Sequence, residues 1–273
     1  MKKVKILITF LVLSLAFVLS ACGTAKTNGS EKNAKENKEV KTLRVVTDAA
    51  YAPFEYMDKG KVVGFDVDFI NAVAKEAGYK VNVEHVGWDP LFVEIKGKTA
   101  DIGISAITIN DERKQTYDFS KPYFLSTNMI LVPEDSPIKS AQDLKGKKVA
   151  VQNGTTGQEV TEKVLGKNSP DVKKFENTNL AIMELNNGGA QAVVADNTVV
   201  EAYAKNNPKD KLKTISDESF PNEFYGLMFP KDSEIKADFD EAVTKVIENG
   251  TYAKLYKQWF KSDPDLETLK AQQ

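Results

Sequence analysis

Lys147-Lys148-Val149-Ala150-Val151-Gln152-Asn153-Gly154-Thr155-Thr156-Gly157 stands near the middle of the chain and indicates its kind of fold. The apolar residues predict a buried strand. The glycine- and threonine-rich segment after them predicts a turn into a helix that begins near Gln158. The same order of strand, turn and helix is found in the first half of the chain. The sequence therefore predicts an α/β pattern that starts twice.

The rest of the chain continues this alternation from Thr42 onward. Apolar positions after Asp66 repeat at helical spacing, so this residue is predicted to cap a helix. Strands are predicted, with helices between them, at residues 43–47, 81–86 and 101–105 in the first half and at 147–151 and 190–195 in the second. Strands separated by helices indicate parallel α/β sheets. Two lobes of ordinary domain size would accommodate them.

The first residues indicate export from the cytoplasm. Residues 1–21 combine a lysine-rich start, an apolar run and small residues before Cys22, as a secretory signal peptide does. Leu19-Ser20-Ala21-Cys22 resembles the lipobox of bacterial lipoproteins, which implies lipid attachment at Cys22 on the outer face of the cell membrane. The alternative is a plain signal peptide with an incidental cysteine. Residues 22–40 contain too few apolar side chains to form a core and are predicted to be a flexible tether.

Composition excludes several classes of function. The chain has 37 basic and 39 acidic residues, and a net charge of −2 does not favour nucleic acid as a partner. One cysteine and one histidine, His85, do not make a zinc site, and no cofactor is expected. His85 lies in an alternating run, so it is interpreted as a surface or strand-edge residue. No intramolecular disulfide can form.

Five phrases occur in a fixed order across residues 42–260 and resemble the polar amino-acid branch of bacterial solute-binding proteins. That branch includes lysine/arginine/ornithine-, histidine- and glutamine-binding proteins. The phrases are Thr47-Asp48-Ala49-Ala50-Tyr51-Ala52-Pro53-Phe54-Glu55, Gly64-Phe65-Asp66-Val67-Asp68, Ile107-Thr108-Ile109-Asn110-Asp111-Glu112-Arg113, Phe119-Ser120-Lys121-Pro122-Tyr123 and Asn249-Gly250-Thr251-Tyr252. Each phrase is weak alone, and their order makes the resemblance specific.

The resemblance implies an α/β fold of the two-lobe, periplasmic-binding-protein-like type II, with two hinge crossovers between the lobes. On that pattern the first lobe comprises residues 41–132 and 226–273, and the second comprises residues 133–225. The ligand would lie in the cleft between them. Such a position agrees with the rule that α/β sheets bind ligands beyond the carboxyl ends of their strands.

A free amino acid carries a carboxylate, and each buried charge needs a partner. Arg113 is predicted to bind the carboxylate, because its guanidinium matches two oxygens. The resemblance adds a hydroxyl from Thr108 and polar or backbone contacts from Ser105 and Ala106, where several relatives carry a second serine. Thr156 is assigned to the same carboxylate at a helix start, which suits an anion. Alternatively, Arg113 is a surface residue paired with a neighbouring acid, and Thr156 is a plain helix cap.

The resemblance places Asp196, at the end of an apolar strand, against the ligand's ammonium group. The alternative is a helix N-cap. Side-chain recognition is assigned to Asp48, Tyr51, Glu55 and Trp88, since acids and aromatic faces attract a cation, and Gln152, which precedes the glycine loop, is added to them. Tyr51 and Trp88 could instead be core residues, and Glu55 could point to solvent.

The expected function is capture of a free amino acid and its delivery to an ABC permease, by a lipid-anchored monomer rather than an enzyme. Arginine, lysine, ornithine or histidine is the expected ligand class, because the pocket combines acids with aromatic rings. Glutamine or another polar amino acid stays open, since related pockets combine the same residue types. Alternatives of another class are a dehydratase on the same fold or a sensory binding module.

Overall fold

The computed structural model describes residues 40–273, so the predicted signal peptide, Cys22 and most of the tether lie outside the described residues. The strands are β1 (Thr42–Thr47), β2 (Ala50–Tyr51), β3 (Glu55–Asp58), β4 (Lys61–Val63), β5 (Lys80–His85), β6 (Ile102–Gly103), β7 (Tyr117–Phe119), β8 (Phe124–Pro133), β9 (Val149–Gln152), β10 (Val172–Phe175), β11 (Ala192–Asp196), β12 (Leu212–Ile215), β13 (Asn222–Tyr225) and β14 (Met228–Pro230).

Helices alternate with most of these strands, as the apolar spacing predicts. They are α1 (Phe65–Glu76), α2 (Trp88–Lys96), α3 (Asp111–Lys114), α4 (Thr156–Leu165), α5 (Thr178–Asn186), α6 (Asn197–Asn206), α7 (Lys236–Glu248), α8 (Thr251–Phe260) and α9 (Leu266–Lys270). Two short 3-10 helices span Ala141–Leu144 and Pro208–Asp210. Within residues 40–273, no helix is both long and apolar enough to cross a membrane.

The two main sheets define two lobes. Lobe 1 is built on a five-stranded sheet in the order β5-β1-β6-β14-β7, and lobe 2 on a six-stranded sheet in which β10-β9-β11-β8-β12 are adjacent and β13 pairs with β8. A small third sheet, β2-β3-β4, belongs to the first part of the chain. The pattern that starts twice in the sequence therefore builds two separate sheets, and the two-lobe α/β fold is confirmed.

Two strands cross between the lobes side by side. The first half of β8 pairs antiparallel with β13, with Phe124 opposite Tyr225 and Thr127 opposite Asn222, and the second half of β8 pairs with β11 and β12. The sequence predicts parallel sheets, whereas each of the two main sheets also contains antiparallel pairs. The crossings explain this difference. The pairs of β5, β1 and β6 and of β10, β9 and β11 are parallel, whereas the strands entering from a crossing run the other way.

Successive residues of the central strands point into different cores. Val45 packs in a cluster with α1, α7 and α8, while Val46 packs with α2 on the opposite face of the sheet. In lobe 2, Val149 and Val151 join one cluster and Ala150 joins another. This period of two with apolar residues on both faces is typical of sheets covered by helices on both sides. Both sheets are therefore buried, and their strand ends are left to form the cleft.

One expectation about a helix end is wrong. Asp66 does not cap α1, because Gly64 occupies the N-cap position with φ 141° and Asp66 lies in the first turn. A Cβ atom on Gly64 would come within 2.0 Å of the carbonyl oxygen of Phe54. Glycine is required at this close approach, and it allows the Asp66 side chain to turn inward below the strand ends of lobe 1.

Candidate functional site

A cavity lies between the two lobes at the strand ends, and the space inside its lining, open solvent included, is about 440 Å³. Ten of the eleven ligand-binding residues predicted from the sequence line it: Asp48, Tyr51, Trp88, Ser105, Ala106, Thr108, Arg113, Gln152, Thr156 and Asp196. Glu55 is not among the lining residues. The chain thus brings distant polar residues to one enclosed place.

Arg113 is held at this cavity by the backbone of both lobes. It lies in α3, whose N-cap Asn110 accepts a hydrogen bond from the Arg113 N–H. The guanidinium donates from Nη1 to the Thr108 carbonyl at 2.9 Å and from Nη2 to the Gly154 carbonyl across the cleft at 3.2 Å. A guanidinium has five N–H donors, so three are left for a ligand. The surface ion pair considered for Arg113 is ruled out by its burial, with 9% of the residue exposed.

Two aromatic rings pack against this guanidinium. Its Cζ atom lies 5.5 Å from the Trp88 ring centroid and 5.3 Å from that of Phe92. Burial lowers the pKa of Arg113, and the surrounding acids, Glu159 first, oppose that effect. One face of Trp88 therefore supports Arg113, whereas the sequence assigned this ring to the ligand's side chain.

The hydroxyl groups of Thr108 and Thr156 are engaged with a residue that the sequence did not single out. Both donate to Oε2 of Glu223, at 2.7 Å from Thr108 and 2.8 Å from Thr156, while Asn128 donates to Oε1 at 2.7 Å. A hydroxyl has one proton to donate. The prediction that Thr108 gives its hydroxyl proton to a ligand carboxylate therefore does not fit this structure, since Glu223 on β13 accepts it.

Backbone N–H groups at the start of α4 remain for an anion. The N-cap is Thr155, not Thr156, and its side chain accepts from the Gln158 N–H. Helix starts leave N–H groups without helical partners, and both Thr156 and Gly157 line the cavity. A Cβ atom on Gly157 would lie 2.8 Å from the Val194 carbonyl oxygen. Lobe 2 can thus offer N–H groups and a helix dipole to a carboxylate opposite Arg113.

Asp196 closes the same space from the end of β11. It is the N-cap of α6, yet its side chain makes no cap hydrogen bond; instead its carboxylate accepts from the Tyr225 hydroxyl at 2.5 Å. Burial, followed by the nearby Glu223 carboxylate, raises its pKa to about 7, while hydrogen bonds from Tyr225 and Tyr51 oppose the shift. Asp196 therefore holds the N-cap position, as the alternative expected, but its side chain does not cap the helix and is suited to pair with a cation.

Ser105 and Ala106 form the floor on the side of lobe 1. Ser105 donates from Oγ to Glu55 Oε1 at 2.8 Å and accepts from the Asp48 N–H at 3.2 Å. Ala106 has φ 47°, a left-handed conformation that is uncommon for residues other than glycine. Its N–H donates to Asp66 Oδ2 at 2.8 Å. The floor is thus fixed by buried acids behind it.

The predicted side-chain pocket is a looser polar group at the other end of the cavity. Gln152 donates from Nε2 to Asp48 Oδ2 at 3.2 Å across the cleft, and its Oε1 accepts from Thr178 at 3.0 Å. Burial raises the pKa of Asp48, which the hydrogen bond from Gln152 opposes. His85 is 42% exposed at its side chain and lies 3.9 Å from Asp48 Oδ1. A negative group and an amide therefore meet at this end.

Glu55 does not belong to this pocket. Its side chain is fully buried behind Ser105, so it neither lines the cavity nor points to solvent. It lies next to Asp66, which is also buried. The strand β3 turns this residue inward and leaves its neighbour Tyr56 half-buried.

Sequence reasoning missed several residues at the site. Asn128 and Thr178 line the cavity, and Glu223 and Tyr225 hold lining residues from behind. Three of these four lie on the crossing strands β8 and β13. The available signal was Glu223, an acid two residues before Tyr225 in Asn222-Glu223-Phe224-Tyr225. Its position at the site is determined only by the pairing of β13 with β8.

The comparisons with known proteins agree with this geometry. The family model described as bacterial extracellular solute-binding proteins, family 3, matches residues 43–262. The probable histidine-binding protein of Neisseria gonorrhoeae is 42% identical over 248 residues, which cover 90% of this chain and 91% of that protein. The arginine-binding extracellular protein ArtP of Bacillus subtilis (strain 168) is 34% identical over 260 residues, covering 94% of this chain and 98% of that protein.

A solved structure extends the likeness to three dimensions. The arginine-, lysine-, histidine-binding protein ArtJ from Geobacillus stearothermophilus is 57% identical, covers 84% of this chain and 100% of that chain, and superimposes with a TM-score of 0.83. These proteins are solute-binding proteins, which confirms the expectation of a binding protein rather than an enzyme. With the family match across most of its length, this chain belongs to the bacterial extracellular solute-binding proteins, family 3.

Proposed function

We propose that this protein captures a basic amino acid, arginine in the first place, and delivers it to an ABC permease. The observation that carries this proposal is the pair Arg113 and Asp196, opposite charges from different lobes that line one cavity. An amino acid presents a carboxylate and an ammonium group a short distance apart, so this pair matches the part that all amino acids share. Relatives named for arginine and histidine binding support the ligand class.

The carboxylate would be held by the free N–H donors of Arg113 and by the backbone N–H groups of Thr156 and Gly157. The ammonium group would meet Asp196 and the polar groups of Ser105 and Ala106. A cationic side chain would then extend toward Asp48 and Gln152, with the Tyr51 ring beside it. Each charge of the ligand finds an opposite partner, which is needed once water is excluded.

The two lobes would close on the ligand. Hydrogen bonds already join the lobes, including Gln152 to Asp48 and Asn179 Nδ2 to the Ala50 carbonyl at 3.0 Å. A ligand that touches both lobes favours the closed form through its differential affinity. A permease that recognises only the closed form would distinguish loaded from empty protein.

Lipidation of Cys22 would keep the protein at the outer face of the membrane, close to its permease. Residues 22–40 would serve as the tether, with residues 41–132 and 226–273 as the first lobe and 133–225 as the second. A monomer suffices for this role, because the cavity is lined from one chain. Metabolic labelling with a radioactive fatty acid tests the anchor, and Cys22→Ala is expected to abolish the label and to release the protein from membranes.

The ligand is tested by calorimetric titration of residues 23–273 with the common amino acids. We expect arginine to bind most tightly, followed by lysine, ornithine and histidine, with glutamine weaker because it offers no cation to Asp48. Tighter binding of glutamine than of arginine would overturn the basic ligand and leave the amino-acid site standing. Absence of binding by any amino acid would overturn the proposed function.

A further inference from the structure

Two acidic side chains lie side by side behind the floor of the cavity. Glu55 on β3 and Asp66 in the first turn of α1 are both 0% exposed. Glu55 Oε1 accepts from Ser105, and Asp66 Oδ2 accepts from the Ala106 N–H and from the Tyr123 hydroxyl at 2.9 Å. Neither acid forms an ion pair with a basic side chain of the described residues.

The remaining oxygens of this pair require a proton. Glu55 Oε2 and Asp66 Oδ1 are buried and have no donor among the described residues, and the two side chains lie close enough for each to affect the pKa of the other. Two carboxylates cannot bond without a proton between them, and two buried like charges in contact are strongly unfavourable. One proton shared by the pair satisfies both oxygens at once.

The surroundings of the pair agree with a single proton. Burial raises the pKa of Asp66 to about 6, opposed by the donors Ala106 and Tyr123. Burial, then the charge of Asp66, raises the pKa of Glu55 well above its usual value, and Asp48 adds to the effect. Burial thus raises the pKa of both acids, which favours a proton within the pair.

The pair is connected to the cavity by short links. Ser105 joins Glu55 to the backbone of Asp48, and Asp66 holds Ala106 in its left-handed conformation. Such a conformation persists only where the surroundings fix it, because it costs about 1 to 3 kcal/mol. The acids therefore act on three lining residues without touching the cavity.

We propose that Glu55 and Asp66 are positioning residues that share one proton and thereby fix Ser105 and Ala106 as the docking surface for the ligand's ammonium group. The expected effect on affinity rests on the proposed function. The shared proton does not rest on it, because its test uses the protein without any amino acid.

Glu55→Gln is the sharpest probe, because an amide reproduces a protonated acid. Its oxygen can accept from Ser105 and its NH₂ group can donate to Asp66, with the net charge unchanged. We expect the infrared spectrum of the ligand-free protein at neutral pH to show the C=O band of a protonated carboxyl group that is missing in Glu55→Gln. Any band from Asp196 or Glu223 is common to both proteins and cancels in the difference spectrum.

Affinity for arginine supplies the positioning part of the test. Glu55→Gln should bind within about twofold of the wild type, whereas Glu55→Ala, which leaves Ser105 and Asp66 without a partner, should lose about tenfold or more. If Glu55→Ala does not fold by circular dichroism, Ser105→Ala serves instead, with a loss of about tenfold expected.

Each contrary outcome overturns a definite part. A missing band difference would show that the pair carries no proton. Full affinity in Glu55→Ala, or in Ser105→Ala where the first variant does not fold, would overturn the positioning role. Failure of the wild type to bind any amino acid would instead count against the proposed function, while the band difference could still stand.

Discussion

The two ends of the cavity are built differently. The end with Arg113, Asp196, Ser105 and Ala106 is held by short hydrogen bonds from helix starts, crossing strands and buried acids, down to 2.5 Å between Tyr225 and Asp196. The end with Asp48 and Gln152 is held by side-chain contacts of 3.0 to 3.2 Å and lies beside an exposed histidine. The difference teaches that the rigid end would recognise what every amino acid shares, and the looser end would select among side chains.

Among the variants that test this difference between the two ends, Arg113→Ala should cause the largest loss of ligand affinity. Removing one partner of a buried, hydrogen-bonded charge pair costs about 2 to 5 kcal/mol, or about 30- to 5,000-fold in affinity. We expect this loss for arginine, lysine and glutamine alike, measured by calorimetry. Arg113→Lys keeps the charge but loses the planar fork, so it should recover only part of the affinity. A loss confined to arginine would move Arg113 from the shared end to the selective end.

Asp196→Asn should have the next largest effect and a distinctive pH profile. Only the ionised carboxylate pairs with an ammonium group, and the ligand-free pKa is about 7. Binding therefore releases a proton, so wild-type affinity should be full above pH 7 and fall by up to about tenfold for each unit below it. The variant should bind weakly with little pH dependence between pH 5 and 8. A wild-type profile that is flat over this range would contradict the assignment.

Asp48→Asn tests whether the end of the cavity with Asp48 and Gln152 selects among ligand side chains. Losing the charge that faces the ligand's cationic tip should weaken arginine by about 10- to 100-fold. Glutamine should change by about threefold or less, because it carries no charge there. The ratio of the two affinities, measured on the same preparation, is the readout. Equal losses would show that Asp48 acts on the shared part of the ligand or on lobe closure.

Thr178→Val should give the smallest effect. The hydroxyl donates to Gln152 Oε1 and so orients its amide toward Asp48. Removing one such bond from a residue that acts through another should weaken arginine by about three- to tenfold. Thr178→Ser, which keeps the hydroxyl, is the matched control and should bind normally. Equal weakening in both variants would indicate a packing effect instead.

The fold and the rigid end could be predicted largely from local sequence. Arg113 follows a capping asparagine, Asp196 ends an apolar strand, and Gly154 to Gly157 join a strand to a helix, so each position is set by its own element. Glu223 and Asn128 could not be found in this way. They meet because β13 pairs antiparallel with β8, which places them diagonally across two strands, and no local pattern determines that pairing.

For Glu55, the sequence shows the residue type but not the direction in which the side chain points. Its residue type indicates a charged group for the cleft, and its neighbours in the sequence are aromatic. Which face of β3 turns inward depends on how Gly64 packs against Phe54 and brings Asp66 underneath. The sequence contained both acids but not their contact, so a buried pair was interpreted as a cleft acid and a helix cap.

Agmatine, which is arginine without its carboxylate, gives the most direct test of recognition by Arg113. We expect the wild type to bind arginine at least about 100-fold more tightly than agmatine, and Arg113→Ala to bind the two within about threefold of each other. A variant that has lost arginine affinity but still prefers arginine over agmatine by the wild-type ratio would contradict contact between Arg113 and the ligand's carboxylate.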